Sequence, residues 1–306
     1  LTDDWIRQYR KRRIQLLRPV EPGSHETETV PNPNSVQLQA LEKLVETRRD
    51  GYRRGLMVMA TGLGKTWLAA FDVRQFQAKR VLFVAHREEI LQQAAQTFLR
   101  IRPGSTAGFY NGQQRDKHVD TLCASIQTLG RAAHLERFAP DYFDYIVVDE
   151  FHHASASTYR RLLQHFEPRF LLGLTATPNR SDQADILSLC DDNLVFQFDL
   201  AEGVGEGLLS PFTYYGIFDE TVNYQEIPWR NGQFDPEQLS NKLATLGRAR
   251  HSLRKWQEHS QRRTLAFCVS IRHANFMAEE FIRAGIFAAA VHGQSAISRG
   301  EAVDQL

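Results

Sequence analysis

Short, largely apolar runs punctuate most of this chain. They fall at 55–60, 80–85, 121–125, 144–148 and 170–175, and the stretches between them carry apolar residues at three- and four-residue spacing, at 36–50, 65–77, 87–99 and 155–165. The short runs read as strands buried on both faces, and the longer periodic stretches read as helices. Strands alternating with helices predict a parallel sheet covered on both sides. After a more polar stretch a second series begins, with a strand expected at Leu265–Ser270, a helix at His273–Arg283 and a strand at Ile286–His292. The expected class is α/β, with two parallel-sheet domains in tandem, the second incomplete.

Ahead of the first series, Ile6, Tyr9, Ile14 and Leu17 sit at near-helical spacing around the basic run Arg10–Arg13. Pro19, Pro22, Pro31 and Pro33 then interrupt a polar stretch that reads as an extended linker. The expected division is a basic helix and linker at 1–34, a first domain at 35–205 and a second at 206–306.

Composition narrows the class. With 306 residues, 42% hydrophobic and 24% charged, the chain has the make-up of an ordinary globular protein, which excludes intrinsic disorder and fibrous repeats. No apolar run approaches the length of a membrane span. Lys+Arg 37 against Asp+Glu 36 excludes a surface that is basic throughout, so any contact with nucleic acid must be local. Cys123, Cys190 and Cys268 show no metal-ligand spacing, which suits a reducing, cytoplasmic compartment, and Cys123 and Cys268, inside apolar strand-like runs, are expected to be core thiols. The sequence opens on Leu1 without the charged and apolar regions of a secretory leader.

Three strings carry chemistry. ATGLGKT at 60–66 directly follows a strand and directly precedes a helix, the context of a phosphate loop. Thr61, Gly62, Leu63 and Gly64 would turn backbone N–H groups toward phosphates, Lys65 would place a point charge there, and Thr66 would offer a hydroxyl to Mg²⁺ at a helix N-terminus. Met59 stands where the strict phosphate-loop pattern has its first glycine. IVVDEFHH at 146–153 brings Asp149 and Glu150 to the C-terminal end of a buried strand, where open α/β sheets bind ligands. Asp149 would hold the cation and Glu150 would orient and deprotonate an attacking water. His152 and His153 have no cysteine or second spaced histidine pair to complete a zinc site. GLTATP at 173–178 ends another strand with the hydroxyls of Thr175 and Thr177.

In this order and at these distances, ATGLGKT, DEFH and TATP resemble motifs I, II and III of the superfamily 2 helicases of the DExH kind. Gln37 in SVQLQAL resembles the adenine-reading glutamine of that superfamily, VLFVAHREEILQQA at 81–94 its motif Ia, ASIQTL at 124–129 its motif Ib, and TLAFCVSIRHANFMAEEF at 264–281 its motif IV. Within the superfamily, HREEILQQA and LLGLTATPNR are most similar to the bacterial restriction-subunit helicases. The resemblance implies two RecA-like domains holding ATP and Mg²⁺ between them, with a strand of nucleic acid crossing both. It implies Glu150, Lys65 and His152 as catalytic groups, with His152, Thr175 and Thr177 also linking nucleotide state to grip on the strand. It places nucleic-acid contacts near His86, Arg87, Gln127 and Ser270, favours DNA over RNA, and suggests a nuclease module upstream in a longer parent. Motif VI would have the form Q-x-x-G-R-x-x-R, which occurs nowhere in the 306 residues, so slow hydrolysis by this chain alone is expected. The alternative readings are an ATP-gated nucleic-acid or protein binding module that does not turn over, or the motor subunit of a restriction or nuclease system. A small-molecule kinase is excluded by the DEFH and TATP strings.

Overall fold

A computed structural model of the chain describes residues 30–177, 183–219, 221–230, 233–260, 263–295 and 301–302. The basic helix expected at 1–18, most of the linker and Pro178 lie outside the described residues. Two compact units divide between Phe212 and Thr213, against the expected division at 205 and 206.

Among the described residues the first helix of the first unit is α1 (Ser35–Arg49), held at its start by a reciprocal cap in which the Asn34 side chain accepts from the Gln37 N–H and the Gln37 side chain accepts from the Asn34 N–H. There follow β1 (Arg54–Met59), α2 (Lys65–Phe76), β2 (Val81–Ala85), α3 (Glu88–Ile101), β3 (Ala107–Tyr110), β4 (Thr121–Ser125), the short α4 (Ile126–Leu129) and α5 (Ala132–Leu135), and β5 (Tyr145–Val148). The unit continues through α6 (Ser157–His165), β6 (Phe170–Thr175), α7 (Gln183–Ser188), β7 (Leu194–Phe198) and α8 (Leu200–Gly205). Among the described residues seven strands form one sheet in the order β3-β4-β2-β5-β6-β1-β7, every pairing parallel. The α/β class and the parallel sheet are as expected.

Alternate residues of each strand point to opposite faces, and both faces are buried. Met57, Met59, Phe83, Val147 and Leu172 pack with α1, α2 and α3, while Leu56, Val58, Leu82, Val84 and Ile146 pack with Phe143, Leu162, Leu163 and Phe166. The five apolar runs are therefore central strands. Two strands went unforeseen: β3 is short with an alternating burial pattern, and β7 is only partly buried at the sheet edge.

One polar network ties the first face together. Arg48 of α1 donates to both carboxylate oxygens of Asp72 in α2, at 2.7 and 2.8 Å, and the Tyr145 hydroxyl donates to the same carboxylate. Asp72 is fully buried. Removing the cation would leave an uncompensated charge in the core, so Arg48→Ala should destabilise the first unit by about 3–5 kcal/mol. Urea unfolding of the variant checks this; a loss below about 1 kcal/mol would show that the network is dispensable.

The second unit contains a two-stranded antiparallel ribbon, β8 (Trp229–Arg230) with β9 (Gln233–Phe234), and helices α9 (Pro236–Leu243), α10 (Leu246–His259) and α11 (Ile271–Arg283). Val222, Ile227 and Leu243 form its small core with Phe234 and Leu239. The helix expected from His273 is α11. The runs expected as strands at 265–270 and 286–292 pair with no strand among the described residues, and Leu265, Phe267 and Phe287 are exposed at 69%, 96% and 105%. A parallel strand becomes regular only when neighbours take up its N–H and C=O groups on each side, and these runs have none. Cys268 lies in the first of them and is half-buried rather than core, while Cys123 and Cys190 are fully buried.

Candidate nucleotide site

Sheet order explains why residues far apart in sequence converge. β1 and β5 flank β6, with Val58 opposite Thr175 and Val148 opposite Gly173. The C-terminal ends of these three strands therefore deliver the loop 60–64, the pair Asp149 and Glu150, and Thr175 to one stretch of sheet edge. β2 and then β4 lie beyond β5 and deliver His86 and Gln127 to the same edge.

The loop turns through Gly62 at φ +93° and Gly64 at φ +79°, the left-handed region that side chains rarely adopt. Gly64 is the N-cap of α2, and a Cβ there would stand 2.6 Å from Gln37 Nε2. The loop thus opens into a free helix N-terminus, whose amides and dipole favour phosphate. Lys65 donates to the Met59 carbonyl at 3.1 Å. Burial pulls the Lys65 ammonium below its ordinary pKa, while Asp149 and Glu150 pull it up. Thr66 follows in the first turn of α2. Gln37 is buried and donates to the carbonyls of Leu63 and Gly64 at 3.4 and 3.2 Å, so in this structure its amide braces the phosphate loop.

Asp149 is 7% exposed and its N–H donates to the Val84 carbonyl. Burial, and then the neighbouring Glu150 charge, push its carboxyl up to about 6, with Lys65 opposing. Two carboxylates here face too little positive charge. A hard cation with oxygen ligands would supply it, and the Asp149 carboxylate with the Thr66 hydroxyl is a donor set that suits Mg²⁺. Among the described residues no group of three histidine, cysteine or carboxylate side chains could hold a metal by itself. Glu150 takes φ +51° and begins the turn Phe151–His153, a strained conformation for a residue with a side chain.

From Glu150 a polar path leads to β6. His152 Nδ1 lies 3.2 Å from Glu150 Oε2 and 3.3 Å from Thr175 Oγ1. Thr175 Oγ1 in turn accepts from the Thr177 N–H at 3.3 Å. A proton on His152 Nδ1 can donate to both the carboxylate and the hydroxyl. On the other side the His153 ring lies tilted against His152 at 4.1 Å and meets His86 edge-on at 5.5 Å. Gln127 Nε2 donates to the His86 carbonyl at 2.9 Å, and Ser125 donates to Gln127 Oε1. Arg87 Nε donates to His86 Nε2 at 3.1 Å, and the Arg87 guanidinium is exposed. Burial, then Arg87 and His153, hold the His86 imidazole below its ordinary pKa. Ser270 belongs to the second unit, where its hydroxyl caps α11 by accepting from the His273 N–H and lies 2.7 Å from Ser240 Oγ.

Sequence reasoning weighed His153 only as a zinc ligand and did not single out Tyr159. In the structure His153 joins the carboxylate turn to His86. Tyr159 of α6 is buried, its hydroxyl has no partner among the described residues, and burial followed by the Asp149 and Glu150 charges pushes it up to about 12. Tyr159 falls inside the stretch read as a helix at 155–165, and nothing in a single sequence shows which carboxylates a buried hydroxyl will approach.

Comparison with known proteins decides the family. Residues 31–180 match the model described as type III restriction enzyme, res subunit. These residues are a superfamily 2 helicase domain of the restriction-subunit group. The chain is 32% identical over 217 residues to the type I restriction enzyme EcoAI endonuclease subunit of Escherichia coli, covering 67% of this chain and 26% of that protein. It is 28% identical to a Saccharomyces cerevisiae protein described as an ATP-dependent helicase, IRC3, covering 82% of this chain and 39% of that one. It spans well under half the length of either relative. A solved fragment described as an HsdR subunit of a type I restriction enzyme from Vibrio vulnificus superposes with a TM-score of 0.58 at 23% identity, covering 87% of this chain and 48% of that one. That likeness extends to the fold, which is RecA-like. Among the described residues no helix is long and apolar enough to cross a membrane.

Proposed function

We propose that this helicase domain works as an ATP-driven motor that moves along nucleic acid, with DNA as its track. The observation that carries the reading is the polar path from Glu150 through His152 to Thr175, on the same sheet edge as His86 and Gln127. A change of charge at the γ-phosphate would meet Glu150 first and would be passed to β6 by the shared imidazole. In this reading residues 35–205 form the ATP-binding lobe and 206–306 belong to its partner lobe. Backbone amides of 61–66 bind the phosphates, Lys65 neutralises the transferring phosphoryl group, and Glu150 orients the water and takes its proton. Thr66 and Asp149 would hold Mg²⁺, which when bound supplies positive charge to the β and γ phosphates. The names borne by the Escherichia coli and yeast relatives, a restriction endonuclease subunit and an ATP-dependent helicase, support the same class.

Arg87 and Gln127 present their exposed side chains where a strand would cross the edge, and such contacts read phosphate and sugar rather than bases. Binding to single-stranded DNA should therefore be indifferent to sequence, with log K falling by about 0.7 per unit of log salt for each phosphate neutralised. Titration of oligonucleotides of different sequence across a salt series tests this. A flat salt response, or a preference for one sequence above about tenfold, would contradict the reading.

A further inference from the structure

Beside β3, at one edge of the sheet, lies a cluster of cations that the nucleotide site does not use. After β3 the chain turns back through residues 111–115, bridging Tyr110 to Arg115. The Arg115 guanidinium lies over the Tyr110 ring at 5.1 Å, and Lys117 lies over the Phe138 ring at 5.8 Å. His134 Nδ1 is 2.9 Å from the Tyr110 hydroxyl. Arg161 Nη1 donates to the Gly130 carbonyl at 3.0 Å, beside Arg131. Arg115, Arg131, Arg137 and Arg161 are all exposed.

None of these four guanidiniums pairs with a carboxylate among the described residues. Asp116 directs its carboxylate to the Phe109 N–H at 2.9 Å, and Glu136 makes no ion pair among those residues. After burial, the charges that hold the His134 imidazole below its ordinary pKa are Arg115, Arg137 and Arg131, so three arginines act on one ring. Like charges gathered without counterions cost stability, and an anion would relieve that cost.

We infer that Arg115, Arg131 and Arg137, with Arg161, Lys117 and His134 around them, form a second nucleic-acid interface that grips the phosphate backbone of a duplex. The inference rests on the nucleic-acid reading above. Position points to nucleic acid as the occupant: β3 lies next to β4, which delivers Gln127, and β4 lies next to β2, which delivers His86. The patch therefore continues the line along which a strand would cross the edge. Its chemistry favours a duplex. Sites for single strands combine basic grooves with exposed rings on which bases stack. Here the rings beneath the arginines, Tyr110 and Phe138, are 0% and 3% exposed, so they support the cations and offer no stacking surface. Paired bases need none, and a duplex backbone asks only for positive charge.

The test uses the whole chain, a short blunt DNA duplex and oligothymidylate of the same length, each titrated across a salt series. The triple variant Arg115→Ala, Arg131→Ala, Arg137→Ala should lower the duplex salt slope by about 2 to 3, at about 0.9 for each phosphate no longer neutralised. Its oligothymidylate binding and nucleotide affinity should stay at wild-type values. The corresponding triple lysine variant should recover most of the slope, since phosphate accepts a point charge. An unchanged duplex slope, an equal loss on oligothymidylate, or no recovery with lysine would each overturn the inference. If the wild-type chain binds oligothymidylate normally and the variant's duplex slope is unchanged, the patch alone is refuted. If the wild-type chain binds neither DNA, the motor reading falls with it.

Discussion

Lys65→Ala is expected to weaken Mg²⁺·ATP binding by about 10- to 150-fold, the range that corresponds to losing a charge-assisted hydrogen bond of about 1.5–3 kcal/mol. In the structure Lys65 sits between the Met59 carbonyl and the carboxylates of Asp149 and Glu150, half-buried and with its ammonium held below its ordinary pKa by burial. That environment suits a cation that exchanges a carbonyl for phosphate oxygens when nucleotide arrives. The side chain adds little to the hydrophobic core, so the melting temperature of the variant should stay within a few degrees of wild type. Calorimetric titration with a non-hydrolysable ATP analogue and Mg²⁺ checks the affinity, and a thermal melt of the same sample checks the fold. Unchanged affinity in a folded variant would remove the phosphate-loop assignment.

Glu150→Gln should separate binding from chemistry. The amide keeps the size and the hydrogen-bonding reach of the carboxylate but cannot take a proton from water, a function worth typically about 10²–10⁴ in rate. Nucleotide affinity should therefore stay within about threefold of wild type while single-turnover hydrolysis falls by about that range. Glu150 holds its strained φ through the turn that follows it, and glutamine would inherit the same backbone. Single-turnover phosphate release, measured at saturating protein, distinguishes the outcomes. Hydrolysis at the wild-type rate would mean that another group, with Asp149 nearest in sequence, takes the proton.

The central strands were legible because burial on both faces leaves wholly apolar runs such as LMVM in β1 and YIVV in β5. The edge strands were not, because an edge needs only one buried face and short alternation such as AGFY in β3 looks like loop. In the second unit, Leu265–Ser270 had the right composition for a strand, but composition does not supply the neighbours that a strand pairs with. At the site, the loop, the carboxylate pair and the two threonines were readable from residue type and spacing, because their chemistry is local to short strings. Interactions made across the sheet were not readable. Gln37 bracing the carbonyls of Leu63 and Gly64, His153 against His86, and Tyr159 near the carboxylates all depend on the order in which the strands lie side by side. The Arg48–Asp72–Tyr145 network is hidden for the same reason: its members are distant in sequence and meet only when α1 and α2 pack on the sheet.

The central claim is that nucleotide and nucleic acid are coupled through this sheet edge, and thermodynamic linkage tests it directly. Coupling between two ligands must be reciprocal: if bound nucleotide changes strand affinity by some factor, bound strand changes nucleotide affinity by the same factor. The measurement is the affinity of the whole chain for single-stranded DNA with and without a saturating Mg²⁺·ATP analogue, together with the affinity for the analogue with and without saturating DNA. The account predicts equal factors of about 5 to 150 in the two directions, the range of coupling energies of about 1–3 kcal/mol. Affinities for each ligand that stay the same whether or not the other is bound would contradict it.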